Sequence, residues 1–206
     1  YLREPNCIQS YAALAAIAIQ SNQNDQHGGQ SIPNFDYGMA EGVAKTYRKA
    51  FRRRLKETIE DFLDLEDEMQ VVSEAVDEAE KVSGENARLE NTSVFADAMV
   101  KAIISRYELT EQQALKLITR AQKRAWQKTD RDTHQSMEGF VHNLNTMHSR
   151  AGAQTPFSSV NYGMDTSAEG RMVMKNMLLA TEAGLGHGET PIFPILIFKV
   201  KEGISY

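Results

Sequence analysis

SRAGAQTPFSSVNYGMDTSAEGRMVMKNMLLATEAGLGHGETPIFPILIFKV, residues 149–200, decides the fold class. Gly152 and Pro156 break the chain ahead of a short apolar run, Phe157 to Tyr162, which reads as a strand between loops. Thr166 and Glu169 have capping-box spacing and predict a helix to about Ala183, which Gly184 can terminate. Glycines 184, 186 and 188 form a flexible loop. IFPILIFKV, residues 192–200, is apolar and of strand length, and predicts a strand buried on both faces. Pro194 stands near its start, where a missing donor is tolerated. Strand, helix and buried strand in this order imply α/β packing.

The chain upstream is mainly helical. IQSYAALAAIAIQ, from Ile8 to about Gln20, is Ala-rich and apolar on nearly every side, and predicts a buried or interface helix. The polar stretch from Asn22 to Gln30, with Gly28–Gly29 inside it, predicts a loop or short strand. From Ala40 to Ser83 one apolar stripe (Val43, Tyr47, Phe51, Leu55, Ile59 and onward) predicts one long helix or a broken pair. Ser93 can cap a helix to about Arg106. Thr110 and Gln113 form a capping box for another to about Lys128, burying Leu115, Ile118, Ala121 and Ala125 and also Trp126. A separate helix is expected from Asp132 to His148.

The 23 Lys+Arg against 28 Asp+Glu give a net charge of −5, which disfavours a general nucleic-acid coat; no nucleic-acid partner is expected. One cysteine, Cys7, excludes an intrachain disulfide framework and a cysteine-rich metal site, and a reducing cytoplasm fits. No apolar run approaches the roughly 20 residues that span a bilayer, so no membrane partner is expected. The chain opens on Tyr1 and closes on Tyr206 just after an apolar segment, and it reads as a piece of a longer protein.

Four places could carry chemistry. In NDQHGGQS, residues 24–31, two glycines permit close backbone approach to a ligand, and His27 and the amides can donate to phosphate or sugar oxygens; a plain polar turn is the alternative. In HSRAGAQTPFSSVNY, residues 148–162, Arg150 can grip a phosphate bidentately, and Gln154, Ser158, Ser159 and Asn161 add neutral donors and acceptors. The basic run Lys45–Lys56 could hold a phosphate chain or be a solvated helix face, the commoner case. His134, Glu138 and His142 share a helix face, but no HExxH and no second ligand cluster accompany them, so a polar stripe is the better reading than a metal site. The 184–188 glycines are no dinucleotide fingerprint, and no P-loop is present.

Two long strings carry a family resemblance. IQSYAALAAIAIQSNQNDQHGGQSIPNFDYG, and THQSMEGFVHNLNTMHSRAGAQTPFSSVNYGMDTSAEGRMVMKNMLLATEAGLGHGETPIFPILIFKVKEG, together about half the chain, resemble the catalytic subunit of anaerobic (class III) ribonucleoside-triphosphate reductase. The resemblance implies an α/β fold, a helix-rich fragment of a ten-stranded barrel of the glycyl-radical type. It implies reduction of ribonucleoside triphosphates, with formate as reductant. The thiyl cysteine, the radical glycine and a zinc site would lie outside this chain, so no catalytic residue, no metal ligand and no role for Cys7 is assigned within it. Such a fragment is expected to be inactive alone.

The same resemblance divides one partial domain into three parts. Residues 1–62 hold an interface helix, the Gly loop and the basic helix. Residues 63–131 are a helical insertion, and 132–206 a helix–strand barrel segment. Substrate would meet His27, Gly28, Gly29, Gln30, Ser31, Ser149, Arg150, Gly152, Gln154, Ser158, Ser159 and Asn161. Deoxynucleotide or ATP effectors would meet Gln20, Asn24, Lys49 and Arg53 near a homodimer interface. A radical-SAM activating enzyme would be a further partner, in the cytoplasm. The alternative is a nucleotide-binding regulatory or dimerisation module without redox activity.

Overall fold

The computed structural model describes residues 3–26, 28–64, 69–148 and 154–205. Among these residues, six helices and three short strands follow in the order α1 (Ile8–Asp25), β1 (Gln30–Ile32), α2 (Phe35–Leu63), α3 (Met69–Ser83), α4 (Ser93–Tyr107), α5 (Glu111–Thr146), β2 (Ser158–Tyr162), α6 (Ala168–Ala183) and β3 (Ile195–Phe198). The protein is a helix-rich α/β chain. It divides into two compact units, one of residues 1–43 and 130–206, the other of Ala44–Thr129.

The first unit contains the sheet, ordered β1-β2-β3 and parallel throughout. β2, α6 and β3 form the βαβ unit that the chain's C-terminal third predicts. Its core holds Phe35 against Phe140, ring centroids 5.1 Å apart, with Met137, Val141, Leu144, Val160, Val173 and Met177 buried. α6 is tied to α5 by Asp130, whose carboxylate accepts from Lys175 and Asn176, both at 2.8 Å.

The second unit is all helix. Phe51, Leu55, Ile59, Val72, Val76, Phe95, Met99, Ile103, Leu117 and Ile118 form one apolar cluster. The basic run of α2 is largely absorbed here. Arg48 donates to Glu80 at 2.7 Å and Arg52 to Asp77 at 2.5 Å, while Arg53 and Arg54 pair with Glu57 and Lys56 with Glu60. The Glu80 hydrogen bond raises the Arg48 pKa, and the Arg52 hydrogen bond holds Asp77 below the usual carboxylate range. Arg48, Arg52, Arg53, Arg54 and Lys56 of that run thus each meet a carboxylate.

Several expectations are corrected. α1 does not stop at Gln20; it continues through Asn22 and Asn24 to Asp25, because nothing before Gly28 breaks a helix. The two helices expected at 110–128 and 132–148 are one, α5. Its polar middle has no Gly or Pro, and Thr129 and Ser136 satisfy their hydroxyls on the carbonyls four residues back, at 2.9 and 2.6 Å. The buried stripe of α5 is Ala114, Leu117, Ile118, Ala121 and Ala125; Leu115 lies one step off it and Trp126 one step past it, and both are exposed. Thr92, not Ser93, holds the cap position of α4, with its hydroxyl turned to Glu85. Ser167, not Thr166, caps α6, accepting from the Gly170 N–H at 3.0 Å. β3 is not buried on both faces. Ile195, Ile197 and Phe198 are exposed, and among the described residues β3 is an edge strand that pairs with β2 alone.

Candidate functional site

Parallel pairing brings the residues just before β1, 28–29, and those just before β2, 154–157, to the same end of the sheet. Gln30 stands opposite Ser158, Ser31 opposite Ser159 and Ile32 opposite Val160. The loops that precede β1 and β2 therefore leave the sheet side by side, at the amino ends of their strands. The Gln30 N–H donates to the Phe157 carbonyl at 2.9 Å, and Gln23 Nε2 reaches the Gln154 carbonyl at 3.3 Å. A Cβ on Gly29 would sit 2.9 Å from the Phe157 ring, so the missing side chain lets the two loops approach this closely.

The side chains divide into structural and available groups. Gln30 is structural. Its Nε2 donates to the Ile19 carbonyl at 2.9 Å and its Oε1 accepts from Asn22 at 3.0 Å, so it ties the strand back to α1. Ser31 Oγ donates to Asn161 Oδ1 at 3.3 Å across the strands. Ser159 Oγ makes a long contact, 3.5 Å, to the Gln30 carbonyl. Ser158 Oγ is fully buried with no hydrogen-bond partner among the described residues, an arrangement that costs stability unless something meets the hydroxyl.

His27, Ser149, Arg150 and Gly152 lie outside the described residues. Gly28, with φ +102°, is an exposed turn residue. Among the effector candidates, Gln20 Nε2 donates to the Asn143 carbonyl at 3.4 Å and Asn24 is exposed near the end of α1; both belong to the first unit. Lys49 is exposed and Arg53 pairs with Glu57 at 3.0 Å; both belong to the second.

Two hydrogen-bonded locks stand beside the sheet. Asp36, fully buried in the first turn of α2, accepts from the N–H groups of Gly163, Met164 and Asp165 through one oxygen, all at 2.9 Å. Tyr37 adds a hydroxyl bond to the Met164 carbonyl at 3.0 Å. Asn145, near the end of α5, accepts from the N–H groups of Ile192 and Phe193 at 2.9 and 3.0 Å and donates to the Phe193 carbonyl at 2.5 Å. An acidic residue opening a helix is the only local signal of the first; nothing local marks the second. Cys7 Sγ faces Ser10 Oγ at 3.3 Å in the first turn of α1. Among the described residues no three His, Cys, Asp or Glu side chains are grouped to hold a metal ion. His134 contacts Glu138 at 3.4 Å and His142 turns to Thr146.

A family model described as anaerobic ribonucleoside-triphosphate reductase matches residues 1–206. The chain belongs to the anaerobic ribonucleoside-triphosphate reductase family. Curated relatives bearing that name agree. The enzyme of Enterobacteria phage T4 is 38% identical over 82 residues, 39% of this chain and 13% of the relative. That of Salmonella typhimurium is 31% identical over 80 residues, 38% of this chain and 11% of the relative. That of Haemophilus influenzae is 37% identical over 75 residues, 36% of this chain and 10% of the relative. The aligned stretches thus span about a tenth of these anaerobic reductases. No helix among the described residues is long and apolar enough to cross a membrane.

Proposed function

We propose that this chain is part of the catalytic subunit of an anaerobic ribonucleoside-triphosphate reductase and supplies part of the substrate pocket. The observation that carries the reading is the parallel pairing of β1 with β2, which sets residues 28–29 beside 154–157, in a chain whose residues 1–206 the family model matches. The three-strand sheet would be one arc of a ten-stranded α/β barrel. Residues 1–62 and 132–206 would build that arc, with 63–131 a helical insertion.

The pocket residues would bind and orient. Arg150 and His27 would hold the triphosphate, as charged donors do. Ser159, Asn161 and Gln154 would offer neutral hydrogen bonds to the sugar, and Ser158 Oγ, buried and without a partner among the described residues, would gain one on binding. Glycyl and thiyl radicals would supply the redox chemistry from elsewhere in the polypeptide, with formate as reductant. The one thiol here, Cys7, lies 3.3 Å from Ser10 Oγ at the start of α1, and no role is proposed for it. Effectors, dATP or other deoxynucleotides and ATP, would meet Gln20, Asn24, Lys49 and Arg53. The exposed apolar face of α1, where Ile17 is 55% exposed, would meet a second copy in a homodimer. A radical-SAM enzyme would activate the protein in the cytoplasm.

The test is anaerobic turnover of a ribonucleoside triphosphate by the full-length, activated protein, with substrate affinity measured alongside. Arg150→Ala is expected to weaken substrate binding by about 1.5–3 kcal/mol, the worth of one charged hydrogen bond. Nucleotide binding without formation of deoxynucleotide would point instead to a regulatory module. Unchanged affinity in Arg150→Ala would remove the phosphate-gripping role.

A further inference from the structure

Asn145 stands one residue before the end of α5, and its side-chain amide is fully used. Oδ1 accepts from the N–H groups of Ile192 and Phe193, and Nδ2 donates to the carbonyls of Val141 and Phe193 at 2.6 and 2.5 Å. Two donors and two acceptors are all that a carboxamide offers. An ionised Asp there would lack the donors, and Leu would lack both kinds of group. The segment before β3 is thereby held to α5 through both the N–H and the carbonyl of Phe193.

Phe193 passes the constraint on. It is buried, and its ring meets the Phe157 ring edge-on, with centroids 5.1 Å apart. Phe157 is itself 57% exposed, so its place depends on few neighbours, and Phe193 and Gly29 are two of them. The Phe157 carbonyl takes the Gln30 N–H at 2.9 Å. The next residue is Ser158, whose buried hydroxyl has no partner among the described residues. Asn145, Phe193, Phe157 and then Gly29, Gln30 and Ser158 thus form a continuous chain of contacts within the first unit.

We propose that Asn145 is a positioning residue for the substrate pocket: it fixes Phe193, whose ring holds Phe157, and so sets where residues 28–30 and 154–158 stand. The proposal rests on the substrate-pocket reading above. Asn145 itself meets no substrate and acts only through Phe193 and Phe157. The segments that open β1, β2 and β3 come from remote parts of the chain. A group that ties them together before the ligand arrives spares the ligand that ordering cost. Losing the tie weakens binding without removing a reacting group, so it reads as a higher KM at nearly unchanged kcat.

The test uses the full-length, activated protein and whichever of ATP, CTP, GTP and UTP the parent reduces fastest. Asn145→Ala is expected to raise KM about ten-fold, the equivalent of about 1.4 kcal/mol, with kcat kept within about three-fold. Hydrogen exchange at the Gln30 amide, which Asn145 does not touch, should quicken by about ten-fold. Phe193→Ala should give the same pattern, and the double variant should be no worse than the more damaging single, because both cut one chain of contacts. Asn176→Ala loses the bond to Asp130 that ties α6 to α5; it should lower the melting temperature and leave KM unchanged. If Asn145→Ala does not fold, Phe193→Leu, which keeps the apolar bulk but loses the ring edge, must shift KM in the same direction. An unchanged KM in a folded variant overturns the proposal. So do additive effects in the double variant, or a Gln30 amide that keeps its protection. A parent that reduces no ribonucleotide overturns the pocket reading instead, and the Gln30 exchange then still decides whether Asn145 controls the sheet end.

Discussion

Replacing Asp36 by Ala is expected to unlock the turn that follows β2. The carboxylate is fully buried, and a single oxygen takes three backbone N–H groups at 2.9 Å while the other takes the Tyr37 N–H at 3.0 Å. Hydrogen bonds to a charged acceptor contribute about 1.5–3 kcal/mol each, and a stranded buried N–H costs about 1–3 kcal/mol. The three bonds share one atom, so they do not add fully, and removing the carboxylate also removes its own desolvation cost. The expected net loss is about 3 kcal/mol, a large part of the roughly 5–15 kcal/mol that stabilises a typical domain. Asp36→Asn keeps one oxygen for the amides but loses the charge, and should cost about half as much. Urea unfolding followed by circular dichroism gives the total. Hydrogen exchange at Gly163, Met164 and Asp165 gives the local part, which should accelerate by about two decades, each tenfold being about 1.4 kcal/mol. If Asp36→Ala stays within about 0.5 kcal/mol of the parent, or these amides keep their protection, the lock is not energetic and the reasoning fails.

The remaining predictions concern the same sheet and the paired helix face. Gly163 has φ +106°, and a Cβ there would lie 2.6 Å from the Phe198 ring and 2.9 Å from the Lys199 carbonyl; Gly163→Ala should cost about 2 kcal/mol or more in thermal or urea unfolding, and a neutral result would refute the close approach. Asp77 and Glu57 are both held below their ordinary values, Asp77 chiefly by the Arg52 hydrogen bond; for Glu57 burial pushes upward and the Arg54 and Arg53 bonds outweigh it. Folded values below the unfolded ones mean that this stability is present above the ordinary values of 3.8 and 4.5 and is lost as pH falls through the lowered ones. Melting temperature should therefore fall on the acid side of that range. Arg52→Gln should flatten the fall; an identical acid limb in that variant would show that the Asp77 pair contributes nothing.

Legibility followed sequence distance. The βαβ unit was readable because its strands and helix are bounded by Pro and Gly, and the Thr110–Gln113 capping box formed as spaced, with the Gln113 N–H 3.3 Å from the Thr110 hydroxyl. The continuity of α5 was hidden because the polar run Thr129–Thr133 looks like a break, until its hydroxyls are seen bonded within the helix. The exposure of β3 is not legible in its sequence, because composition reports that a strand is apolar and not which neighbours it has. The convergence of residues 28–31 with 154–161 could be inferred only through the family resemblance, since no periodicity links positions so far apart. The Asp36 lock was out of reach for the same reason, its partners lying 127–129 positions away.

The separation between β1 and β2 also bears on how the chain assembles. Gln30 and Ser159 touch across 129 positions, and closing so long a loop costs entropy before any strand bond repays it. The cluster of Ala44–Thr129 draws on shorter-range pairings, such as α3 on α4. Such local structure can form early and shorten the effective span that the strands must bridge. The mated strands are then a late event in folding, and a nascent chain that has not yet emitted residues 158–162 holds β1 as an open edge, which a second chain can capture.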